Sequence, residues 1–534
     1  MQKLKSIFIK DLTPIEHWDL LILCFAIGGM LYSSFVFSIS LSLLGIRAFF
    51  SGDFKSKIQK FKDNKFIVLA LLSLFFLHIL GLCWTTDLSE GIKEINHKLP
   101  LLIIPLAILF ISPMKKSMLR RLILIYILLL LIGSLIAMFH YIIDPNADER
   151  RLIYGLNTIS FGINIAFAVS LILIYAYKNY NNPNRSSKIK IVSLILTSVW
   201  FVIFLCIIKA MTGLVILFIL AVYLSIKMFA KGKSKVNYSI AVLLLMGLVI
   251  CIFAVRTYYK EYFTPKPFSQ SLKTTTALGN QYTHLDDGFI ENGYYVNQYV
   301  CETEMTDAFE KRTGIKVSPI CDTNPNVVCA ERVKRYLNSM GLTKDAAGVN
   351  ALSKKDIDNI KNGYENIVYT KRLSIKPRIY KTFFELERYF GEGKFDNGSI
   401  SQRIELSLNA IDIISNNLLI GAGTGDNIKQ MDDAVRKRND KASFDNIDPH
   451  NYYLYIMVQF GILGLLILIF FLIYPATKAK IWANPVWQTL FIIIVAAMFV
   501  ESTLNRVSMV AFFCLTYTIL LFNKPISDIE SMNR

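Results

Sequence analysis

Residues 448–474 read DPHNYYLYIMVQFGILGLLILIFFLIY, a histidine set at the threshold of an apolar run long enough to cross a bilayer. Similar runs recur near 18–31, 33–50, 66–84, 99–112, 119–142, 157–177, 190–208, 212–229, 237–256, 451–474, 486–502 and 506–523. Because about twenty apolar residues span the hydrocarbon core, they predict about twelve transmembrane helices. Composition agrees, since 53% of the 534 residues are hydrophobic and the mean hydropathy is +0.43. That is too apolar for an ordinary soluble chain, so the fold class is an all-α polytopic membrane protein.

The formal charge of +18 has a topological cause. Basic residues crowd alternate short connections: Lys55, Lys57, Lys60, Lys62 and Lys65; Lys115, Lys116, Arg120 and Arg121; Lys178, Arg185, Lys188 and Lys190; Lys227, Lys231, Lys233 and Lys235; Lys478 and Lys480. The connections between them, around Asp87 to Lys98, Asp144 to Arg151, Lys209 to Gly213 and Glu501 to Arg506, are mixed or sparse in charge. The positive-inside rule then makes both termini cytoplasmic. It assigns the charge to orientation and anionic membrane lipids, with no nucleic acid as partner. The polar opening MQKLKSIFIKDLTPIEHWDL is followed by an apolar run without a small-residue cleavage site, so the first span is expected to stay in the membrane.

Three regions follow: a membrane region of about nine helices over 1–256, a large external loop over 257–450, and a membrane region of about three helices over 451–534. The loop carries the helical patterns MTDAFEKR, AERVKRYLNSM and KPRIYKTFFELERYF, punctuated by Gly, Asn and Pro. Five of the eight cysteines lie in or beside apolar runs; Cys301, Cys321 and Cys329 lie in the loop, where a bridge between one pair is left open. No CxxC pair or metal-ligand cluster is visible, and no metal or cofactor is expected.

The candidate chemistry gathers at the outer ends of spans. Arg403 lies on QRIELSLNAIDIISNN, whose apolar residues recur at helical spacing. Such an arginine either sits solvated on an amphipathic surface helix or presents its donor fork to a phosphate. Gly421, Gly423 and Gly425 form a glycine turn, GAGTGD, without the Lys-Ser/Thr of a P-loop; a close backbone approach explains it better than a nucleotide. His450 and Asn451 open a span after Pro449; this histidine is either an interfacial group bonded to water or, kept neutral by an outward-facing helix N-terminus, a proton acceptor. Lys209 in CIIKAMTG, and Glu501 with Arg506 in ESTLNR, are charges at membrane ends that either snorkel and pair or serve function. Their convergence on one face points to an anionic substrate at the outer surface.

Taken together, Arg403 to Ala410, the Gly421–Gly425 turn, His450-Asn451-Tyr452-Tyr453-Leu454 and Gly461 to Gly464 resemble the O-antigen ligase and polymerase family of bacterial surface-polysaccharide assembly. Further stretches look like its Bacteroidetes branch: EINHKLPLLIIPLAI (94–108), ENGYYVNQYVCETEM (291–305), RYLNSMGLTKDAAGVNAL (335–352) and ESTLNRVSMVAFF (501–513). The resemblance implies a GT-C-like membrane glycosyltransferase of the bacterial inner membrane with its active site facing the periplasm. It implies His450 as the base that activates an acceptor hydroxyl. Arg403, helped by Lys209, would hold the pyrophosphate of an undecaprenyl-pyrophosphate-linked glycan donor.

Two positions depart from the family pattern. Ser407 stands where an aromatic residue is common, and Lys209-Ala210-Met211-Thr212-Gly213 stands where many members carry a second arginine. The expected reaction is inverting, metal-independent transfer of the glycan onto lipid A-core. A polymerase, or a protein O-oligosaccharyltransferase, shares the same features. A transporter of the same lipids fits less well, because no inverted repeat is visible and the charges sit at outer ends.

Overall fold

Local sequence sets the helix boundaries. Thr13 caps the first helix in a capping box with Glu16, with Pro14 at its first turn. Asp87 accepts the amide of Glu90 at 3.0 Å, and Asn484 accepts that of Val486 ahead of Pro485. The computed structural model describes residues 12–144, 157–179, 185–231, 235–266, 272–285, 288–319, 327–391, 398–438 and 447–523. Lys233, Cys321 and the 145–151 part of one expected external connection lie outside these residues.

The chain divides into two compact units, Met1–Tyr223 with Phe395–Arg534, and Leu224–Lys394. In chain order the apolar helices are α1 (Pro14–Tyr32), α2 (Ser34–Phe49), α3 (Phe54–Leu80), α4 (Leu88–Ile111), α5 (Lys116–Ile143), α6 (Thr158–Asn179), α7 (Arg185–Ile207), α8 (Met211–Lys231) and α9 (Lys235–Phe263). The polar middle of the chain forms α10 (Glu302–Thr313), α11 (Ala330–Ser339), α12 (Ala346–Ala351), α13 (Lys354–Lys361), α14 (Lys376–Gly391), α15 (Ser399–Asn416) and α16 (Asn427–Arg438). The chain ends in α17 (Tyr452–Lys478), α18 (Pro485–Val500) and α19 (Val507–Phe522).

Among the described residues nine helices are long and apolar enough to cross a membrane, and α2, α18 and α19 are shorter apolar helices. The protein is an all-α polytopic membrane protein. Lipid acts as the solvent for its outer faces, which explains exposed Leu243, Val249, Ile250 and Phe253 along α9. In contrast α6 is buried at every residue from Ser160 to Ile172, as expected of a helix that is apolar all round.

The second unit is small and mainly helical. Met305, Phe309, Val333, Tyr336, Leu337, Val349 and Ile360 form its core, and the expected helices MTDAFEKR, AERVKRYLNSM and KPRIYKTFFELERYF are α10, α11 and α14. Two short pairings trim it: β1 (Ile290–Glu291) antiparallel to β2 (Tyr294–Tyr295), and β3 (Lys316–Ser318) parallel to β4 (Val327–Cys329). Cys329 is disulfide-bonded, whereas Cys301 is a buried free thiol.

Candidate functional site

Three side chains, from three segments of the chain, meet at the carboxylate of Glu501. Glu501 ends α18 as its C-cap, in extended conformation. Its Oε1 lies 3.2 Å from Nδ1 of His450 and accepts from Nη2 of Arg506 at 3.0 Å. Its Oε2 accepts from Nη2 of Arg403 at 3.2 Å, and the other terminal nitrogen of Arg403 donates to the carbonyl of Val500. The exposure is graded: the Glu501 side chain is 2% exposed, His450 17%, Arg403 30% and Arg506 35%. The carboxylate is thus sealed beneath groups that still reach solvent.

Burial alone would raise the Glu501 carboxyl. The hydrogen bond and field of the His450 ring, then the guanidiniums of Arg506 and Arg403, outweigh burial and hold it at about 2. A buried carboxylate is tolerated only because it is paired several times over. Two guanidiniums share this one carboxylate, and both remain partly open to solvent.

The backbone around His450 is built to aim it. Asn451 caps α17 by accepting the amides of Tyr453 at 3.0 Å and Leu454 at 3.2 Å, which leaves His450 just outside the helix. His450 adopts a left-handed φ of 51°, uncommon for a residue with a Cβ. Asp448 holds that turn by accepting the His450 amide at 2.8 Å, and Ser502 donates to the same carboxylate oxygen. Ser407 donates to the carbonyl of Pro449 at 3.4 Å, so α15 is tied to the loop that carries the histidine. Asp448 and Ser502 carry no motif of their own; the only sequence signal is their position beside His450 and Glu501.

The glycine turn does a different job. Gly461 takes a left-handed φ of 58° and breaks α17 nine residues into the helix. The break frees amides and carbonyls within an apolar span, where each must find a partner inside the protein. The chain after α15 supplies them: Ala422 and Gly423 donate to the carbonyls of Val458 and Gln459, both at 2.9 Å. In return Ile462 and Leu463 donate to those of Leu418 and Leu419, at 2.8 and 3.3 Å.

Close approach explains the glycines. A Cβ on Gly421 would lie 2.5 Å from the backbone of Gln459 and Phe460, and one on Gly425 would lie 2.0 Å from the carbonyl of Asp87. Asp426 completes the clasp by accepting from Thr86 at 2.6 and 2.7 Å and from the Asp87 amide at 3.0 Å. Burial pushes its carboxyl up, but these donors prevail and keep it below the ordinary range. Gly421, Gly423 and Gly425 therefore let this loop close on the break in α17 and on the start of α4.

Lys209 occupies the turn between α7 and α8 with a left-handed φ of 56°, its own carbonyl accepting the Met211 amide at 2.9 Å. The second guanidinium on Glu501 is that of Arg506.

Chemically, a ring nitrogen fixed on a sealed carboxylate leaves the other nitrogen free to take a proton, and the two guanidiniums offer donors to an anion. Residues 357–469 match the family model described as O-Antigen ligase, a segment that contains Arg403, the glycine clasp, His450 and the Gly461 break. Among curated proteins no match was found. The family match and the apolar helices support a multi-pass membrane glycosyltransferase of the O-antigen ligase and polymerase type, acting on lipid-linked glycan.

Proposed function

We propose that the protein transfers a polysaccharide from undecaprenyl pyrophosphate to a hydroxyl of lipid A-core at the periplasmic face of the bacterial inner membrane. The observation that carries this reading is the joint hold of His450, Arg403 and Arg506 on Glu501. With Nδ1 turned to the carboxylate, Nε2 of the neutral ring takes the proton of the acceptor hydroxyl. The acceptor oxygen attacks the anomeric carbon, the bond from that carbon to pyrophosphate breaks, and the electron pair leaves with undecaprenyl pyrophosphate. Arg403 and Arg506 stabilise the charge that grows on the departing phosphate. A single displacement of this kind inverts the anomeric centre.

Orientation is supported by the basic connections at alternate helix ends and by the disulfide at Cys329, since disulfides persist in oxidising compartments. The guanidiniums supply the cationic charge this leaving group needs, so transfer is expected to survive a chelator; loss of activity with rescue by a divalent ion would overturn that part.

The test is transfer by purified protein from lipid-linked glycan to lipid A-core. His450→Ala and Arg403→Ala are each expected to reduce it by about 10²–10⁴-fold, the range for loss of a base or of charge stabilisation. Wild-type rates in both variants would refute the catalytic assignment. A ladder of longer lipid-linked chains in place of glycosylated lipid A-core would make the protein a polymerase.

A further inference from the structure

A second ionic group lies behind the site, within the apolar helix α4. Lys98 is completely buried, and its ammonium makes three contacts: Glu94 Oε1 at 2.9 Å, the carbonyl of Leu504 at 3.0 Å and Asn505 Oδ1 at 3.1 Å. Glu94 Oε1 also accepts from the hydroxyl of Tyr455 at 3.3 Å. An ammonium has three protons, so Lys98 has none left to offer a substrate. Its role must be exercised through what it holds.

What it holds is the segment between Glu501 and Arg506. Leu504 and Asn505 belong to the short 3₁₀ turn Thr503–Asn505, and the next residue is Arg506. Through Tyr455 the same ion pair reaches α17 five residues beyond His450. One helix, α4, therefore grips two of the three segments whose side chains meet at the candidate site. A buried ion pair in an apolar span is costly and is weak evidence for stability by itself, which favours a functional reason for its presence.

We infer that Lys98, braced by Glu94, is a positioning residue that sets Glu501 and Arg506 in register with His450. The inference rests on the proposed transfer reaction. A misplacement of about 1 Å at such a site costs roughly 10²-fold in rate. Losing the grip should therefore lower turnover more than donor binding.

Two neutral double variants separate positioning from plain stability. Glu94→Gln with Lys98→Met removes both charges and the donors; Glu94→Gln with Lys98→Gln removes the charges but keeps an N–H donor for Leu504 and Asn505. Both are purified in detergent, checked for monodispersity and thermal unfolding, and assayed for kcat and KM with the lipid-linked glycan. Lys98→Met in this background is expected to lose at least tenfold in kcat with KM within about threefold of wild type, and Lys98→Gln to recover most of the loss. Equal specific activity in the two variants, whether both wild-type or both impaired, would overturn the inference. His450→Ala assayed alongside separates the two claims: if it stays active the reaction itself is misread, whereas if only the paired variants stay active the positioning role alone falls.

Discussion

Glu501 is the residue on which the candidate chemistry converges, and its environment yields two expectations. Glu501→Gln keeps the shape but removes the charge that both guanidiniums pair with and the carboxylate that faces Nδ1 of His450. Transfer is expected to fall by about 10²–10⁴-fold with the protein still folded, because an amide neither orients the ring as a carboxylate does nor balances the cations. Unchanged kcat in that variant would sever Glu501 from the chemistry. The second expectation concerns pH. The carboxyl is held at about 2 against an ordinary 4.5, so its folded value is depressed. Its contribution to stability is complete above about pH 4.5 and is lost as pH falls toward 2. Thermal unfolding in detergent from pH 6 down to 2 should show a steeper loss for the wild type than for Glu501→Gln; parallel curves would refute it. Glu501 and Arg506 are readable from sequence as a membrane-end charge pair, and His450 as a histidine at a span start. Their meeting with Arg403 is not, because 98 residues separate the partners and no local period encodes such a contact.

At the scale of elements, the informative unit is α17 with the loop that enters its break. GAGTG reads in sequence as a tight turn, and its left-handed Gly421 and Gly423 match that reading. The carbonyls it meets lie on a helix about forty residues away, which only the folded chain brings into register. Gly461→Ala tests the clasp: a Cβ there would lie 2.4 Å from the Leu418 carbonyl, on a backbone already at positive φ. Strain and displacement together are expected to cost on the order of 3 kcal/mol. The control is Gly247→Ala, where nothing lies within 4 Å of the added Cβ. That exchange inside a helix should be neutral or slightly stabilising. Thermal unfolding of the two purified variants makes the comparison, and an equal midpoint for both would remove the clasp from the account of stability.

At the scale of the whole molecule, apolar runs and basic loops made the membrane architecture legible, since hydropathy is a local property. Less legible was how far the short runs reach. The helices α2, α18 and α19 have 16 residues each, about 24 Å at helical rise, which is short of a hydrocarbon core of about 30 Å. Each belongs to a hairpin: α1 joins α2 at Ser33, and α18 joins α19 through the 501–506 segment. A hairpin returns the chain to its starting side whether it crosses fully or turns back within the bilayer. The parity of the topology is therefore insensitive to these three helices. With Lys478 ending α17 and Lys480 just after it, both termini are expected in the cytoplasm and Cys329 outside. A fluorescent protein fused after Arg534 should mature and glow, and alkaline phosphatase fused after Gly363 should be active. Active phosphatase at Arg534 would reverse the orientation, and with it the assignment of His450 to the outer face.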